Sequence, residues 1–210
     1  MESVLRLYAA PQTEDVVRLC VDERPCQLLG EVMTPIAAQP GKVRKVDYEY
    51  KREGTCCVFI AYDLDRGWRY TEVREQRTKK DYAAFIDGLM SQHYGDAKKV
   101  KLVQDNGNTH TKGSFYEYLS VERAGELSEL IDFVYTPKHG SWLNMAEIEF
   151  SVLARQCLAR RISTVEAMRE QTQAWTQHRN KEAVKISWRF SIAAAREKLD
   201  RRYKQAKPEN

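Results

Sequence analysis

The sequence predicts an α/β fold, a mixed five-stranded sheet with flanking helices and a C-terminal helical extension. Five short segments are apolar or alternate in polarity, as strands do, and stretches with helical periodicity separate the later ones. Two of the strands are joined by a short turn at residues 64–67, which predicts an antiparallel hairpin. Because strand–helix–strand units follow this hairpin, the sheet should contain both strand directions.

The first three strands are predicted in the N-terminal part of the chain. Residues 16–22, VVRLCVD, form a short β-branched run, and the hairpin joins residues 55–63 to residues 68–74. The intervening residues 24–54 contain three prolines and have an irregular pattern. Since this stretch is too long for an ordinary loop, we predict an ordered arm or clamp with a role of its own.

Helices and strands alternate after the hairpin. Thr78 and Asp81 give a capping signal for a helix that ends at Gly95. The next predicted elements are a strand over residues 99–105, a helix over 113–124 stopped by Gly125, a strand over 131–135, and a helix from about Ser141 to about Cys157.

The chain beyond residue 158 is predicted to be wholly helical. Ser163 and Glu166 form a capping box, and Met168 and Trp175 lie on one side of the helix that follows. A last helix is predicted over residues 190–199, FSIAAAREKL. These helices make up the predicted C-terminal extension.

Composition and charge set broad limits on the function. Hydrophobic residues make up 42% of the chain, enough for an ordinary core, and the formal net charge of +4 is a mild basic bias compatible with nucleic acid. No apolar run reaches the roughly 18 residues of a membrane span, and the N-terminus has no secretory pattern. The five cysteines form no CxxC pair, which favours reduced core thiols and a cytoplasmic protein over zinc or disulfides.

Three acidic residues occupy the ends of predicted elements. Asp22 and Asp105 each end an apolar strand, and parallel neighbouring strands would bring both carboxylates to one edge of the sheet. Glu147 lies on the helix after the fifth strand, on a face away from Glu149, which is the weaker candidate. Three converging carboxylates suit Mg²⁺ or Mn²⁺, and two such ions can support phosphodiester cleavage. The alternative is a turn-forming aspartate and a solvated helical glutamate.

The residues around these acids carry a resemblance. VDERP at 21–25, VQDNGNTH at 103–110 and above all YTPKHGSWLNMAEIEF at 135–150 resemble the mariner-like insertion-sequence transposases of bacteria, members of the DDE endonuclease superfamily. SWRFSIAAAREKL at 187–199 is similar to the tail of that family. The resemblance implies a ribonuclease-H-like catalytic domain over residues 16–157, after a lead-in over 1–15 and before a helical extension over 158–205.

The resemblance also implies an activity. It assigns Asp22, Asp105 and Glu147 as the catalytic residues and as the ligands of two Mg²⁺ ions, for which Mn²⁺ can substitute. Such an enzyme hydrolyses the ends of its element and then joins the freed 3′-hydroxyl to target DNA. The implied partners are transposon inverted-repeat ends and target DNA, bound by a homodimer in the bacterial cytoplasm, associated with the nucleoid.

Two departures from the family pattern are expected to matter. The connection between Asp105 and Glu147 is longer than in typical relatives, with the extra length at residues 120–130, where we expect an extended helical connection. Such transposases carry N-terminal helix-turn-helix domains, which this chain is expected to lack. It is expected to be one frame of a split gene, an internally started product or a truncated remnant.

A second group of residues is predicted to orient the site or contact DNA. It comprises Asn106, Asn108, His110, Lys138, His139, Asn144, Arg155, Arg160 and Arg161. Turn chemistry, helix capping and solvated loops are the alternatives for the first five, and complementation of helix dipoles for the arginines. The same dipole role is preferred for the C-terminal Arg196, Arg201, Arg202 and Lys204. Glu23 should point to the opposite side of its strand from Asp22, in a supporting or structural role.

Two other functions compete with an active transposase core. One is a catalytically idle DNA-binding or dimerising fragment, and the other is a different ribonuclease-H-like nuclease. The presence of all three acids in their motifs favours the active core over the first, and the long motif at 135–150 favours it over the second.

Overall fold

The computed structural model describes residues 1–200 and confirms the predicted fold class. Its five strands are β1 (Val16–Glu31), β2 (Tyr50–Asp63), β3 (Trp68–Arg74), β4 (Lys99–Gln104) and β5 (Ile131–Tyr135), arranged in the order β3-β2-β1-β4-β5. Strand β1 is antiparallel to β2 and parallel to β4, so the sheet is mixed. Strand β5 continues the parallel half.

Helices cover both faces of this sheet. They are α1 (Glu2–Ala9), α2 (Lys79–His93), α3 (Gly113–Tyr118), α4 (Val121–Leu130), α5 (Met145–Gln156), α6 (Val165–Lys181) and α7 (Ile192–Lys198), with a short 3₁₀ turn at Ser141–Leu143. None of the helices within residues 1–200 has the length and apolar character needed to cross a membrane.

Alternating side chains of the strands divide the core in two. Cys20, Val58 and Ile60 face a cluster that is completed by α1, α5, α6 and α7. Leu19 and Phe59 face the opposite cluster, completed by α2, α3 and α4. This two-residue alternation is the expected consequence of the strand pleat, and it fixes the register of the central strands. All five cysteines are free thiols, as predicted.

The first two predicted strands, at 16–22 and 55–63, are too short, because both continue into the segment at 24–54. Strands β1 and β2 continue through much of it as a long antiparallel ladder, and isolated bridges such as Ile36 with Lys45 extend the hairpin toward its tip. The pairing with β4 ends at Cys20, so Pro25 lies where β1 has a single neighbouring strand, a position that tolerates proline. A register shift between Leu28 and Leu29 interrupts the ladder as a bulge.

The predicted helix over 113–124 is wrong in its length and end. The structure has two helices there, because Leu119 adopts an extended conformation and the Ser120 side chain accepts a hydrogen bond from the backbone N–H of Arg123, capping a new helix. Gly125 lies within α4 and does not stop a helix. This second helix occupies the expected long connection at 120–130.

The ends of the chain add two further differences. Helix α1 buries Val4 and Leu5 in the core, although residues 1–15 were predicted only as a lead-in. Helix α6 is capped by Thr164, whose hydroxyl accepts from the Ala167 N–H at 3.1 Å, and not by the predicted Ser163. The predictions for Arg201, Arg202 and Lys204 lie outside the described residues.

Candidate active site

The two aspartates lie at one edge of the sheet. Strands β1 and β4 are parallel neighbours, with Cys20 opposite Val103 in their register. Asp22 and Asp105 each follow two residues later, Asp22 still within β1 and Asp105 directly after β4. The carboxyl ends of parallel strands are where α/β folds place their sites.

Asn144 connects this edge to the helix that carries Glu147. Its Oδ1 accepts from the backbone N–H of Ala146 at 3.1 Å and caps α5, while its Nδ2 donates to the Val21 carbonyl at 2.8 Å. The same Nδ2 lies 3.5 Å from Oδ2 of Asp22. Because this buried amide ties the start of α5 to β1, Glu147 in the first helical turn is placed beside the strand end.

The electrostatics of Asp22 show that the three acids interact. Burial, and next the negative charge of Glu147, raise the pKa of Asp22 to about 7, with Glu23 and Asp105 adding to the repulsion. Like charges that share a low-dielectric site disfavour ionisation in this way. Asp22 therefore lies near enough to Glu147 and Asp105 for their charges to affect it, and the assignment of the three residues as the catalytic set stays a prediction.

Asp105 makes a specific contact with His110. The hydrogen bond from His110 Nδ1 is the main reason that the pKa of Asp105 lies below its usual value. Burial opposes protonation of His110, but its hydrogen bonds with Asp105 and with Glu23 outweigh burial and raise its pKa to about 10. His110 therefore lies between two carboxylates, and Glu23 reaches it although Glu23 leaves β1 on the side away from Asp22.

Several of the supporting residues line a cleft beside Asp105. The cleft has a volume of about 610 Å³, and its walls include Asp105, Asn106, Lys138 and His139. Lys138 and His139 are exposed, and His139 adopts a left-handed backbone conformation with φ of 61°. We call the region of Asp22, Asp105 and Glu147 the acidic edge. The loop after β5 places the positively charged side chain of Lys138 next to it.

The remaining predicted residues lie elsewhere. Asn108 and Arg155 are exposed on a loop and at the end of α5. Arg160 and Arg161 line a different cleft, of about 470 Å³, that includes Arg44 of the arm. Arg161 forms an ion pair with Glu31, so part of its role is to hold the arm.

A buried ion-pair network is the feature that sequence reasoning missed. Arg69 of β3 donates to both oxygens of Glu149, at 2.8 and 2.7 Å, and the side chains of both residues are fully buried. Arg179 of α6 also donates to this carboxylate. The alternation of β3 places Arg69 on the inner face, but nothing in the local pattern indicates a partner 80 residues away.

The donor chemistry of the acidic edge fits divalent cations. Three carboxylates offer only oxygen, the donor that Mg²⁺ and Mn²⁺ prefer, and their mutual repulsion is what a cation would relieve. Within residues 1–200 no three acidic, histidine or cysteine side chains are already assembled around a common ion position. Exposed Glu147 has room to turn toward an ion, whereas Asp22 and Asp105 each have one carboxylate oxygen held by hydrogen bonds.

The mixed sheet with strand order β3-β2-β1-β4-β5 and helices on both faces is a ribonuclease-H-like fold. The chain belongs to the DDE superfamily endonuclease family, which matches residues 17–169. This finding confirms the resemblance to the DDE endonuclease superfamily noted in the sequence. No match to a curated protein sequence was found.

Solved structures of a mariner transposase share the fold. The chain is similar to the Mos1 mariner paired-end complex with Mn, with 14% identity, a TM-score of 0.57 and coverage of 86% of this chain and 53% of the other. The Mos1 strand transfer complex gives 13% identity and a TM-score of 0.56, covering 83% of this chain and 50% of the other. The chain thus spans about half the length of the Mos1 chains.

Proposed function

We propose that this chain is the catalytic domain of a mariner-like DNA transposase that cleaves phosphodiester bonds at transposon ends and transfers strands into target DNA. The observation that carries the proposal is that the charges of Glu147 and Asp105 act on Asp22, beside the carboxyl ends of parallel strands, in a chain of the DDE superfamily endonuclease family. The Mos1 complexes, whose names include paired ends, strand transfer and Mn, support DNA as the substrate and a divalent metal as the cofactor.

The roles of the residues follow from their positions. Asp22, Asp105 and Glu147 would hold two Mg²⁺ or Mn²⁺ ions, which supply activation of the attacking oxygen and stabilisation of the leaving oxygen. Asn144 orients the start of α5 against β1 and so sets where Glu147 stands. Lys138 in the adjoining cleft supplies positive charge for the DNA backbone.

A homodimer on DNA is part of the proposal. The arm formed by residues 24–54 carries exposed apolar side chains, among them Met33, Ile36, Val43 and Tyr48, which is 86% exposed. Exposed apolar groups clustered on one segment are typical of surfaces that contact another molecule. A second copy of the chain is the partner we favour, because two transposon ends must be held together.

The test is a nicking assay with the purified chain and supercoiled plasmid in Mn²⁺ or Mg²⁺. We expect metal-dependent nicking that falls by more than ~10³-fold in Asp105→Asn, because an essential ligand is removed. The matched control is Asp96→Asn, an exposed aspartate after α2 that lies outside the acidic edge and should leave nicking unchanged.

The outcomes separate the competing functions. Nicking that persists in EDTA, or in Asp105→Asn, would contradict the proposal. DNA binding without cleavage in any metal would identify an idle fragment. Preferential cleavage of RNA–DNA hybrids would identify a different ribonuclease-H-like nuclease. The bacterial insertion-sequence origin and the cytoplasmic location stay predictions.

A further inference from the structure

A chain of hydrogen bonds joins the two aspartates of the acidic edge. The backbone N–H of Glu23 donates to Oδ1 of Asp22 at 2.9 Å. The carboxylate of Glu23 accepts from Nε2 of His110 at 2.8 Å, and Nδ1 of the same ring donates to Oδ1 of Asp105. The backbone N–H of Gly107 donates to that oxygen as well, at 3.0 Å. In each aspartate, therefore, Oδ1 is fixed by donors of the protein.

The second oxygen of each aspartate is left open. Oδ2 of Asp22 has only the 3.5 Å contact with Asn144, and Oδ2 of Asp105 receives no hydrogen bond from residues 1–200. A carboxylate with one oxygen held by the protein and the other free is oriented to bind a cation with the free one. The hydrogen-bonded chain thus sets the direction in which both aspartates offer a ligand.

The imidazole at the centre of this chain is rigidly held. His110 is 2% exposed, and its ring lies against the ring of Tyr82 with centroids 4.9 Å apart. Its backbone carbonyl accepts from Nε2 of Gln104 at 3.1 Å and from the hydroxyl of Tyr135 at 2.8 Å. The ring and the backbone of His110 are thus both held by other residues. Because its position does not depend on Asp105, its hydrogen bond sets the position of the Asp105 carboxylate.

We propose that Glu23 and His110 are positioning residues that set the spacing of Asp22 and Asp105 and thereby the affinity of the acidic edge for divalent cations. This inference rests on the proposed function, because it takes the aspartates as metal ligands. Neither residue has to contact the DNA or the ion. Removing hydrogen-bond partners of this kind typically weakens metal binding by about 10–100-fold.

The test measures Mn²⁺ binding to the full chain without DNA, from the electron paramagnetic resonance signal of free Mn²⁺. Glu23→Ala and His110→Ala should bind Mn²⁺ about 10–100-fold more weakly than the wild type. Glu23→Gln should recover most of the affinity, since its amide oxygen can still accept from His110. Nicking by both alanine variants should approach the wild-type rate at saturating Mn²⁺, because all three ligands remain.

The control is Tyr94→Phe, which removes a buried hydroxyl of the same core cluster that donates to Asp63 at 2.7 Å. This change deletes a buried hydrogen bond but none from the chain between Asp22 and Asp105, so Mn²⁺ affinity should stay at the wild-type value. Wild-type affinity in folded Glu23→Ala and His110→Ala would overturn the inference.

Two further outcomes keep the test decisive. If the alanine variants do not fold, His110→Gln takes their place, because its amide has one donor nitrogen and its carbonyl oxygen cannot donate to a second carboxylate, and unchanged affinity would again overturn the inference. If the wild type itself binds no Mn²⁺, the proposed function fails and this inference fails with it. Mn²⁺ binding by the wild type with unaffected variants leaves the proposed function standing and removes only the positioning role.

Discussion

Two glutamates on helix α5 show how differently one residue type can be used. Glu147 is exposed, lies in the first turn of the helix and has no side-chain partner among residues 1–200. Glu149, two residues later, is fully buried and bound by Arg69 and Arg179. The first repels Asp22, whereas the second is fully paired. An acidic side chain that has no partner and lies near other acids therefore indicates a functional site. An acidic side chain that is paired with buried arginines contributes to stability.

The largest expected effect comes from Glu147→Gln. Nicking in Mn²⁺ should fall by more than ~10³-fold, because one of three proposed ligands is lost. The midpoint of thermal unfolding in metal-free buffer should stay the same or rise, since the substitution removes a charge that repels Asp22. Plasmid nicking and calorimetry measure the two quantities. A strongly lowered midpoint would assign Glu147 a structural role and erase the contrast with Glu149.

Glu149→Gln should show the opposite behaviour. Two arginines would be left without their anion, one of them fully buried, and the free energy of unfolding should fall by about 3–5 kcal/mol. Urea denaturation measures this loss. The double variant Arg69→Met with Glu149→Leu should be more stable than Glu149→Gln, since apolar groups can replace a buried pair. A Glu149→Gln variant as stable as the wild type would contradict the structural assignment.

Divalent cations should stabilise the protein through the acidic edge. At a concentration about 100 times the dissociation constant, Mn²⁺ should add about 2.7 kcal/mol to the free energy of unfolding. The unfolding midpoint should then rise by roughly 5–10 °C for a chain of this size. Glu147→Gln should lose most of this shift, and Arg179→Gln should retain it. An equal shift in both variants would place the cation elsewhere.

The smallest effect is expected for the second arginine of the buried network. Arg179→Gln should lower the free energy of unfolding by about 1.5–3 kcal/mol, the range for a hydrogen bond to a charged group. Its side chain is 11% exposed, against 0% for Arg69, and Arg69 still neutralises Glu149 in the variant. Arg69→Gln should cost more in the same urea titration. A larger loss of unfolding free energy in Arg179→Gln than in Arg69→Gln would show that the arginine of α6, and not that of β3, is the main partner of Glu149.

Local signals in the sequence were enough to predict most of the sheet. The turn at 64–67 and the alternation at 68–74 predicted the hairpin, and Thr78 with Asp81 does form the predicted capping box. Asp22 and Asp105 were predicted to follow two neighbouring parallel strands, and β1 and β4 are such neighbours, although β1 continues to Glu31. These features depend on neighbouring residues, which is why one sequence suffices for them.

Features that depend on distant contacts could not be predicted. The partners of Arg69 lie on α5 and α6, so an arginine in an alternating strand gave no sign that it would be buried. The continuation of β1 past Pro25 required knowing that its β4 neighbour ends earlier. The sequence left two roles open for His110, a residue of a turn or a residue of the site. The structure favours the second, because the nitrogen of the ring that does not contact Asp105 is hydrogen-bonded to Glu23.

The bulge at the base of the arm has a mechanical consequence. Asp22 and the base of the arm belong to one strand, β1, whose pairing with β2 keeps a regular register from Leu19 to Leu28. Beyond Leu28 one extra residue, Glu53 of β2, breaks that register, and bulges bend a strand where they interrupt pairing. The direction of the distal arm is therefore set at this bulge, and the regular ladder between the bulge and Asp22 separates the two.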